Sequence, residues 1–209
     1  GRAYYEGADH KKARKELAEV AGHAEVGAEA TLWLGRSHLK EKDFKEAEKA
    51  LATTVARLAK SPLYPDLLFD LGTAQLEQDK YKEAAGSFQK SNAADADGPS
   101  AANAQWLQAY ALHRAGDYAA SGQACDQFLA KHKTHENAGS AAFLKAENFF
   151  LQAPPALAPA IAAYTSFLSG HKSHEQVPVA TFRLGQAHYQ QKDFSKALQT
   201  VAPLLTRRQ

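Results

Sequence analysis

Residues Leu34–Leu51 read LGRSHLKEKDFKEAEKAL, and close copies of this segment recur along the chain. Leu71–Phe88 reads LGTAQLEQDKYKEAAGSF, and Leu184–Val201 reads LGQAHYQQKDFSKALQTV. In each copy a leucine–glycine pair is followed by a polar turn, an aromatic residue and an alanine. Apolar residues on both sides of the turn recur at three- and four-residue spacing, which predicts two helices joined by a tight turn.

A register of small residues extends this pattern over the whole chain. A small anchor residue is followed twelve residues later by a second small residue, and four residues after that by an apolar one. The anchors advance by 34, 37, 37, 37 and 39 residues, and the last step absorbs an insertion at Pro154 and Pro155. The anchors are Gly1, Gly35, Gly72, Ala109, Ala146 and Gly185. The predicted repeat units are residues 1–27 (partial), 28–64, 65–101, 102–138, 139–177 and 178–209 of a single array.

The pattern predicts an all-α protein of antiparallel helix pairs. We expect Pro154 and Pro155 to form an enlarged turn within the fifth pair, with Pro155 in the first turn of the helix that follows. The predicted pairs are 26–40 with 43–59, 64–78 with 81–92, 100–115 with 118–132, 137–151 with 155–169, and 177–190 with 194–207, after a shortened pair within residues 1–20.

Glycine in the middle of a helix costs about 1 kcal/mol relative to alanine. Gly35, Gly72 and Gly185 all fall in the middle of predicted helices. Their recurrence in register indicates that two helices cross closely at each of these positions, since only a small side chain permits a close approach.

These residues resemble the tetratricopeptide repeat family, in which Leu-Gly, an alanine and an aromatic residue recur at the same offsets. Leu34-Gly35, Leu71-Gly72 and Leu184-Gly185 match the family pattern directly, whereas Gln108-Ala109 and Lys145-Ala146 depart from it. The resemblance implies a right-handed superhelical array, an α-solenoid, with the first helix of each pair on the concave face. The 37-residue spacing implies longer connectors than the family's own repeat.

Connectors such as FLAKHKTHENAGSAAF, residues 128–143, are similar to those of bacterial envelope members of the family. Those members include the TolA-binding coordinator and the assembly lipoprotein of the outer membrane. This resemblance favours the periplasm or cell envelope over the cytoplasm.

Composition excludes several classes of protein. Hydrophobic residues make up 44% of the 209 residues, too many for a disordered chain. The net charge of +2, with both signs mixed along the sequence, argues against a nucleic-acid partner or an anionic membrane surface. No apolar run has the length of a membrane span, so we expect no direct membrane insertion.

The chain contains no methionine and begins, by the register, in the middle of a first helix. We therefore expect it to be a piece of a longer protein, with apolar surface exposed at the N-terminal end of the array.

Two similar loops, HKTHE at residues 132–136 and HKSHE at 171–175, offer histidines that could bind zinc or nickel. Both loops lie at the same position of the repeat, so repetition accounts for their similarity. Ser173 with Gln176 indicates a capping box at the start of the next helix, and Thr134 is expected to cap in the same way. We favour this structural interpretation and predict no metal site.

No catalytic constellation is visible in the sequence. Cys125 lies at an interior helix position, which favours a small buried side chain over a reactive thiol. Glycine-rich phosphate loops, serine elbows and HExxH segments are absent. The sequence therefore predicts a protein that is not an enzyme and has no cofactor.

The family's inward-facing positions lie three residues before, one after and four after each small anchor. These offsets fall on one side of a helix and would form an aromatic and aliphatic ladder with polar positions between. The predicted protein-binding residues are Leu32, Arg36, Phe69, Thr73, Trp106, Tyr110, His113, Phe143, Glu147, Phe150, Phe182, Gln186 and Tyr189.

The predicted function is a non-catalytic scaffold that binds a partner peptide or helix in this concave groove. Its predicted centre is Phe69, Trp106, Tyr110 and Phe143, with Arg36 and Glu147 setting polarity at the flanks. Two alternatives stay open at this point: a regulatory or docking module of a larger enzyme, and a structural array that self-associates through exposed ends.

Overall fold

The computed structural model describes residues 1–23 and 25–205. Within these residues it contains twelve α-helices and no strand. The prediction of an all-α fold of helix pairs is therefore confirmed. The helices are α1 (Arg2–Glu6), α2 (His10–Val20), α3 (Gly27–Lys40), α4 (Phe44–Val55), α5 (Tyr64–Leu76), α6 (Tyr81–Ala94), α7 (Ala101–Arg114), α8 (Tyr118–Lys131), α9 (Ala138–Leu151), α10 (Leu157–Gly170), α11 (Val177–Gln190) and α12 (Phe194–Leu205).

The helix bounds agree with the predicted pairs to within two residues, except at the end of α4, and the last predicted end, at residue 207, lies outside the described residues. α4 ends at Val55 rather than at residue 59, because the chain turns through a backbone bond from the Arg57 amide to the Thr54 carbonyl. α10 begins at Leu157, so Pro155 precedes the helix instead of occupying its first turn. That part of the prediction is wrong, and Pro159 occupies the first turn instead, where no amide donor is needed.

Most helix pairs share one tight turn. The residue two places before the second helix adopts a positive φ, as Lys42 (60°), Asp79 (58°) and Lys192 (63°) do, and Gly116 (79°) takes the same position. The next amide donates back to a carbonyl five residues earlier, as Asp43 does to His38, which satisfies the end of the first helix.

An aspartate then caps the second helix in several of these turns. The Asp9, Asp117 and Asp193 carboxylates accept from the backbone amide three residues on. Each cap satisfies one of the unpaired N–H groups at a helix start. The short polar turn in the sequence therefore ends one helix and begins the next.

The chain forms two compact units, Gly1–Ala111 and Leu112–Gln209. The first contains two apolar clusters, one around Ala13 and Leu17 and one around Leu51 and Leu67. The second unit contains a cluster of α9, α10 and α11 side chains around Tyr164 and Phe167. In both units the core consists of helix faces packed against the next helices in the chain.

Candidate functional site

The thirteen predicted binding residues differ widely in their exposure. Leu32, Glu147 and Phe150 are buried, which leaves them little surface for a partner. Only Phe182 and Tyr189 among the thirteen are exposed, at 51% and 64%. The other eight are half-buried: Arg36, Phe69, Thr73, Trp106, Tyr110, His113, Phe143 and Gln186.

Arg36 is held by an ion pair with the next helix pair. Its Nε lies 2.7 Å from Asp70 Oδ2, and its Nη2 lies 3.8 Å from Asp66 Oδ1. The guanidinium also lies over the Trp33 ring, 5.3 Å from the centroid. Burial raises the pKa of the Asp70 carboxyl to about 6, although the Arg36 charge acts in the opposite direction.

Glu147 forms the corresponding ion pair in the second unit, with Arg183. It accepts a hydrogen bond from the Tyr164 hydroxyl, and its Oε1 lies 3.3 Å from Arg183 Nε. Burial, with the bond to Glu147, raises the pKa of the Tyr164 hydroxyl well above its ordinary range. Arg183 also lies over the Phe150 ring at 5.2 Å.

The two ion pairs occupy the same positions of the repeat, with the positive and negative residues exchanged. The residue after one anchor (Arg36 or Glu147) pairs with the residue two before the next anchor (Asp70 or Arg183). Sequence reasoning missed this, although the opposite charges at these two positions were visible in the register. Both side chains therefore contribute to the fold, and their surface for a partner is limited.

The half-buried aromatic residues of the first unit pack mainly against their own neighbours. The Phe69 ring meets the buried Phe88 ring edge-on at 5.6 Å. Trp106 and Tyr110 lie one helical turn apart with ring centroids separated by 6.0 Å. The contact of one partner segment with Phe69, Trp106, Tyr110 and Phe143 stays a prediction.

His113 takes part in an internal hydrogen-bond chain of the second unit. Its Nδ1 lies 2.8 Å from Asn148 Oδ1, and the Asn148 amide donates to Ser121 Oγ at 2.8 Å. The imidazole also meets the Tyr118 ring edge-on at 5.4 Å. These bonds satisfy the buried Asn148 and fix the orientation of His113.

An exposed apolar cleft of about 550 Å³ lies between α11 and α12. Phe182, Gln186 and Tyr189 line it from α11, and Phe194 and Leu198 line it from α12. Phe194 is 58% exposed and Leu198 is 67% exposed. The Tyr189 and Phe194 rings meet edge-on at 5.2 Å, which makes a rigid aromatic wall.

The preceding helix pair shows how such a cleft is filled. By the register, Phe143, Phe150, Leu157 and Ile161 on α9 and α10 correspond to Phe182, Tyr189, Phe194 and Leu198. All four are buried or half-buried, because α11 packs against them. The buried residues that α11 contributes to this packing are Ala180, Leu184 and Ala187, and its half-buried Val177 packs against the same cluster. A helix with small residues around one leucine therefore fits this kind of surface.

The histidine loops form a local hydrogen bond just before the next helix, which the sequence did not predict. The Gln176 amide donates to His174 Nδ1 at 3.2 Å, and Gln176 itself precedes α11. The capping box predicted at Ser173 is wrong, because Gln176 is itself the residue before α11 and its side chain makes no cap bond. His171 and His174 both pack against the Phe167 ring, at 5.6 and 5.3 Å.

The first loop repeats this arrangement before α9. The backbone N–H of Asn137 donates to His135 Nδ1 at 3.2 Å. Asn137 precedes α9 and makes no side-chain cap bond, so the cap predicted at Thr134 is also wrong. His132 and His135 contact the Phe128 ring, and burial lowers the pKa of the His132 imidazole. In the described part of the chain no group of three or more His, Cys, Asp or Glu side chains is placed to hold a metal ion.

Cys125 is fully buried, as its position in the repeat predicted. Burial raises the pKa of its thiol to about 12, so the nucleophilic thiolate is suppressed at neutral pH. None of the described helices is both long and apolar enough to span a membrane.

Two family models together match most of the chain. The model of a tetratricopeptide repeat matches residues 1–65. The model YfiO, an outer membrane lipoprotein family, matches residues 63–201. No curated protein sequence matches the chain.

Solved structures with the same fold share little sequence with this chain. A MamA structure from Desulfovibrio magneticus RS-1 has a TM-score of 0.68 at 16% identity, covering 86% of this chain and 93% of that one. YrrB, described as a TPR protein with an unusual peptide-binding site, has a TM-score of 0.68 at 12% identity and covers 89% of both chains. BtubC from P. vanneervenii has a TM-score of 0.65 at 14% identity, with coverages of 94% and 87%. At these identities the likeness establishes the fold alone.

Proposed function

Because the chain belongs to the YfiO family of outer membrane lipoproteins, and its helix pairs are tetratricopeptide repeats, we propose that it is a non-catalytic scaffold for protein partners in the bacterial cell envelope. The tetratricopeptide-repeat fold supports protein–protein interaction. The family match supports the envelope location.

The observation that carries the proposal is the exposed cleft between α11 and α12. Exposed aromatic and aliphatic side chains that converge on one cleft mark an interaction surface rather than scattered surface apolar residues. Phe182, Tyr189 and Phe194 provide large contact area at a low cost in side-chain entropy. Gln186 is a polar group among them that can orient a bound backbone or side chain.

The proposed occupant is an amphipathic helix of a partner protein, with small residues around a leucine on its apolar face. α11 is the template for this choice, because Ala180, Leu184 and Ala187 pack against the corresponding surface of α9 and α10. Helix-in-groove recognition uses anchors three or four residues apart, which is the spacing of these three residues.

A synthetic peptide with the sequence of residues 177–190 is a suitable probe, measured by fluorescence anisotropy against the whole protein. We expect saturable binding, and a loss of about tenfold or more in affinity when Tyr189→Ser and Leu198→Ser are combined. Both side chains are exposed, so the fold should be retained. Val179→Ser is the matched control, since Val179 is an exposed apolar residue of α11 outside the cleft.

Binding that is absent, or that is equally strong in the double variant, would remove the cleft from the proposal. Sedimentation of the protein alone over a concentration series distinguishes a second outcome. A mass that doubles with concentration, and does not in the double variant, would show that the cleft takes a second copy of this chain instead of a partner helix.

A further inference from the structure

A second cavity, of about 610 Å³, lies far along the chain from the aromatic cleft, between α2, α3 and α4. Its floor is formed by Thr31, Leu34 and Ala50, and the small residues Ala18, Ala21 and Gly22 line its edge. Thr31 and Leu34 are buried, and Thr54 donates a hydrogen bond to the Thr31 hydroxyl at 3.2 Å. The floor is therefore mostly apolar, with a buried pair of hydroxyls.

The rim of this cavity is strongly cationic. Arg14 and Lys15 contribute to it from α2, and Lys49 and Arg57 from α4 and the turn that follows. The one carboxylate among the lining residues is Glu46, whose Oε2 lies 3.9 Å from Lys49 Nζ. The local excess of positive charge contrasts with the balanced charge of the whole sequence.

Among the half-buried lysines and arginines in the described part of the chain, Arg14 alone has no carboxylate partner. There are four such cations, and each of the other three has a carboxylate within 4 Å. These three pairs are Arg36 with Asp70 at 2.7 Å, Lys145 with Asp126 at 2.5 Å, and Arg183 with Glu147 at 3.3 Å. Arg14 has no carboxylate within that distance, and its buried Nη1 has no hydrogen-bond partner among the described residues. A buried guanidinium donor without an acceptor is unfavourable, and an anion supplied from outside would satisfy it.

We propose that this cavity, called the basic cavity below, binds an acidic amphipathic segment of a partner protein. An acidic side chain of that segment enters beside Arg14, and further acidic residues meet Lys15, Lys49 and Arg57 on the rim. The apolar side of the segment covers Leu34 and Ala50.

Two features favour an acidic peptide over a compact anion such as phosphate. The rim cations come from two separate segments, α2 and α4 with the turn that follows it, which suits charges distributed along a chain. The cavity also extends to the C-terminal ends of α2 and α4, where it includes Gly22 and Arg57. A lining of this extent suits a segment of chain, which can place its carboxylates beside the rim cations and away from the partial negative charge of the helix ends, more than a compact anion.

The test is a binding titration on the whole protein with a labelled helical peptide that has leucines on one face and glutamates on the other. A peptide with lysines in place of the glutamates is the negative probe. We expect the acidic peptide to bind, with an affinity that falls as salt concentration rises, because rim charges are screened. Arg14→Met should weaken binding by about tenfold or more, since the charge partner of the inserted carboxylate is removed.

The melting temperature of the same variant separates a binding role from a structural one. Arg14→Met should melt at the same temperature as the wild type or higher, because the buried Nη1 of Arg14 has no acceptor among the described residues. Lys15→Glu combined with Arg57→Glu changes only exposed rim residues and should abolish binding without affecting folding. Lys90→Met, which changes an exposed cation of α6 outside the basic cavity, should leave binding unchanged.

Several outcomes would overturn the proposal. These are failure of the wild type to bind the acidic peptide, or equal binding by Arg14→Met and by the rim double variant. Saturable binding of inorganic phosphate at this site without binding of the peptide would identify a small-anion site instead. Co-sedimentation with phosphatidylglycerol vesicles without peptide binding would identify a membrane-facing surface. The variants of the α11–α12 cleft test the proposed function separately, because they share no residue with the basic cavity.

Discussion

Small residues at the repeat anchors are required by the distance between the two helices of a pair. A Cβ atom added to Gly35 would lie 2.7 Å from Leu51, and one added to Gly185 would lie 2.4 Å from Val201. In both cases the obstructing side chain is the apolar residue sixteen positions later. The low helix propensity of these glycines is therefore offset by close packing of the two helices, which any side chain at the glycine position would prevent.

Gly72→Ala should destabilise the protein in spite of alanine's higher helix propensity. The new methyl group would lie 2.8 Å from the fully buried Phe88 ring, and overpacking of this kind costs about 1–3 kcal/mol. The higher helix propensity of alanine stabilises the helix by only about 1 kcal/mol. We expect a net decrease in the free energy of unfolding, measured by urea denaturation.

Gly86→Ala is the matched control, because it lies in the interior of α6 with open space around the position of the added Cβ. It should stabilise the protein by about 0.5–1 kcal/mol. An equal increase in the free energy of unfolding from Gly72→Ala and Gly86→Ala would show that α5 and α6 do not pack closely at Gly72.

Between helix pairs, a recurring element of the fold is the ion pair that joins one first helix to the next. Arg36 with Asp70 and Glu147 with Arg183 have the same geometry in the repeat and opposite polarity. Each carboxylate is buried, so removal of either cation would leave an unpaired charge inside the protein. These ion pairs fix the register of consecutive pairs in addition to the apolar packing.

The Asp70 carboxyl should make the stability of the first unit depend on pH. Burial raises its pKa to about 6 in the folded protein, above the ordinary aspartate value of about 3.9. The contribution of this group to stability is therefore fully present below about pH 4 and is lost as the pH rises through 6. The expected loss is at most about 3 kcal/mol, since each pKa unit corresponds to about 1.4 kcal/mol.

Asp70→Asn tests this dependence, because the amide keeps the shape and an acceptor oxygen but does not titrate. The free energy of unfolding of the variant minus that of the wild type should be larger at pH 7 than at pH 4. The variant is therefore expected to be relatively more stable at pH 7. Glu83→Gln, at an exposed position of α6, is the control and should show the same relative stability at both values. A pH-independent difference for Asp70→Asn would contradict the prediction.

Across the whole molecule, stability arises from contacts between helices that are close in the sequence. The main helix contacts join elements one or two places apart in chain order, such as α5 with α6 and α3 with α5. This is the arrangement of a repeat protein, in which stability is approximately a sum of terms between neighbours. A substitution that destabilises one helix pair should therefore have little effect on the stability of distant pairs.

Leu51→Ala should reveal this locality in hydrogen exchange. Leu51 is fully buried among α3, α4 and α5 side chains, and its truncation should cost about 2–5 kcal/mol. Amides of α3–α5 should exchange faster, whereas those of α11 and α12 should be unaffected. Leu198→Ala, at an exposed position, should change neither region. Equal acceleration in α11 would indicate a single cooperative structure.

The sequence by itself determined the helix pairs, their turns and the small anchors. These features depend on short-range physics: apolar spacing of three and four residues, the turn with a positive φ at Lys42 or Gly116, and the packing of Gly72 against Phe88. They repeat in register, so each copy supports the others. The fully buried Cys125 was predictable for the same reason.

Only the tertiary structure decided which side chains are available to a partner. The same repeat position is buried at Phe150 and exposed at Tyr189, because α11 covers the former. The ion pair of Arg36 with Asp70, and the buried Nη1 of Arg14 without an acceptor, likewise depend on distances between groups of different elements. Periodicity shows which face of a helix is apolar, but coverage of that face depends on where the neighbouring helices lie.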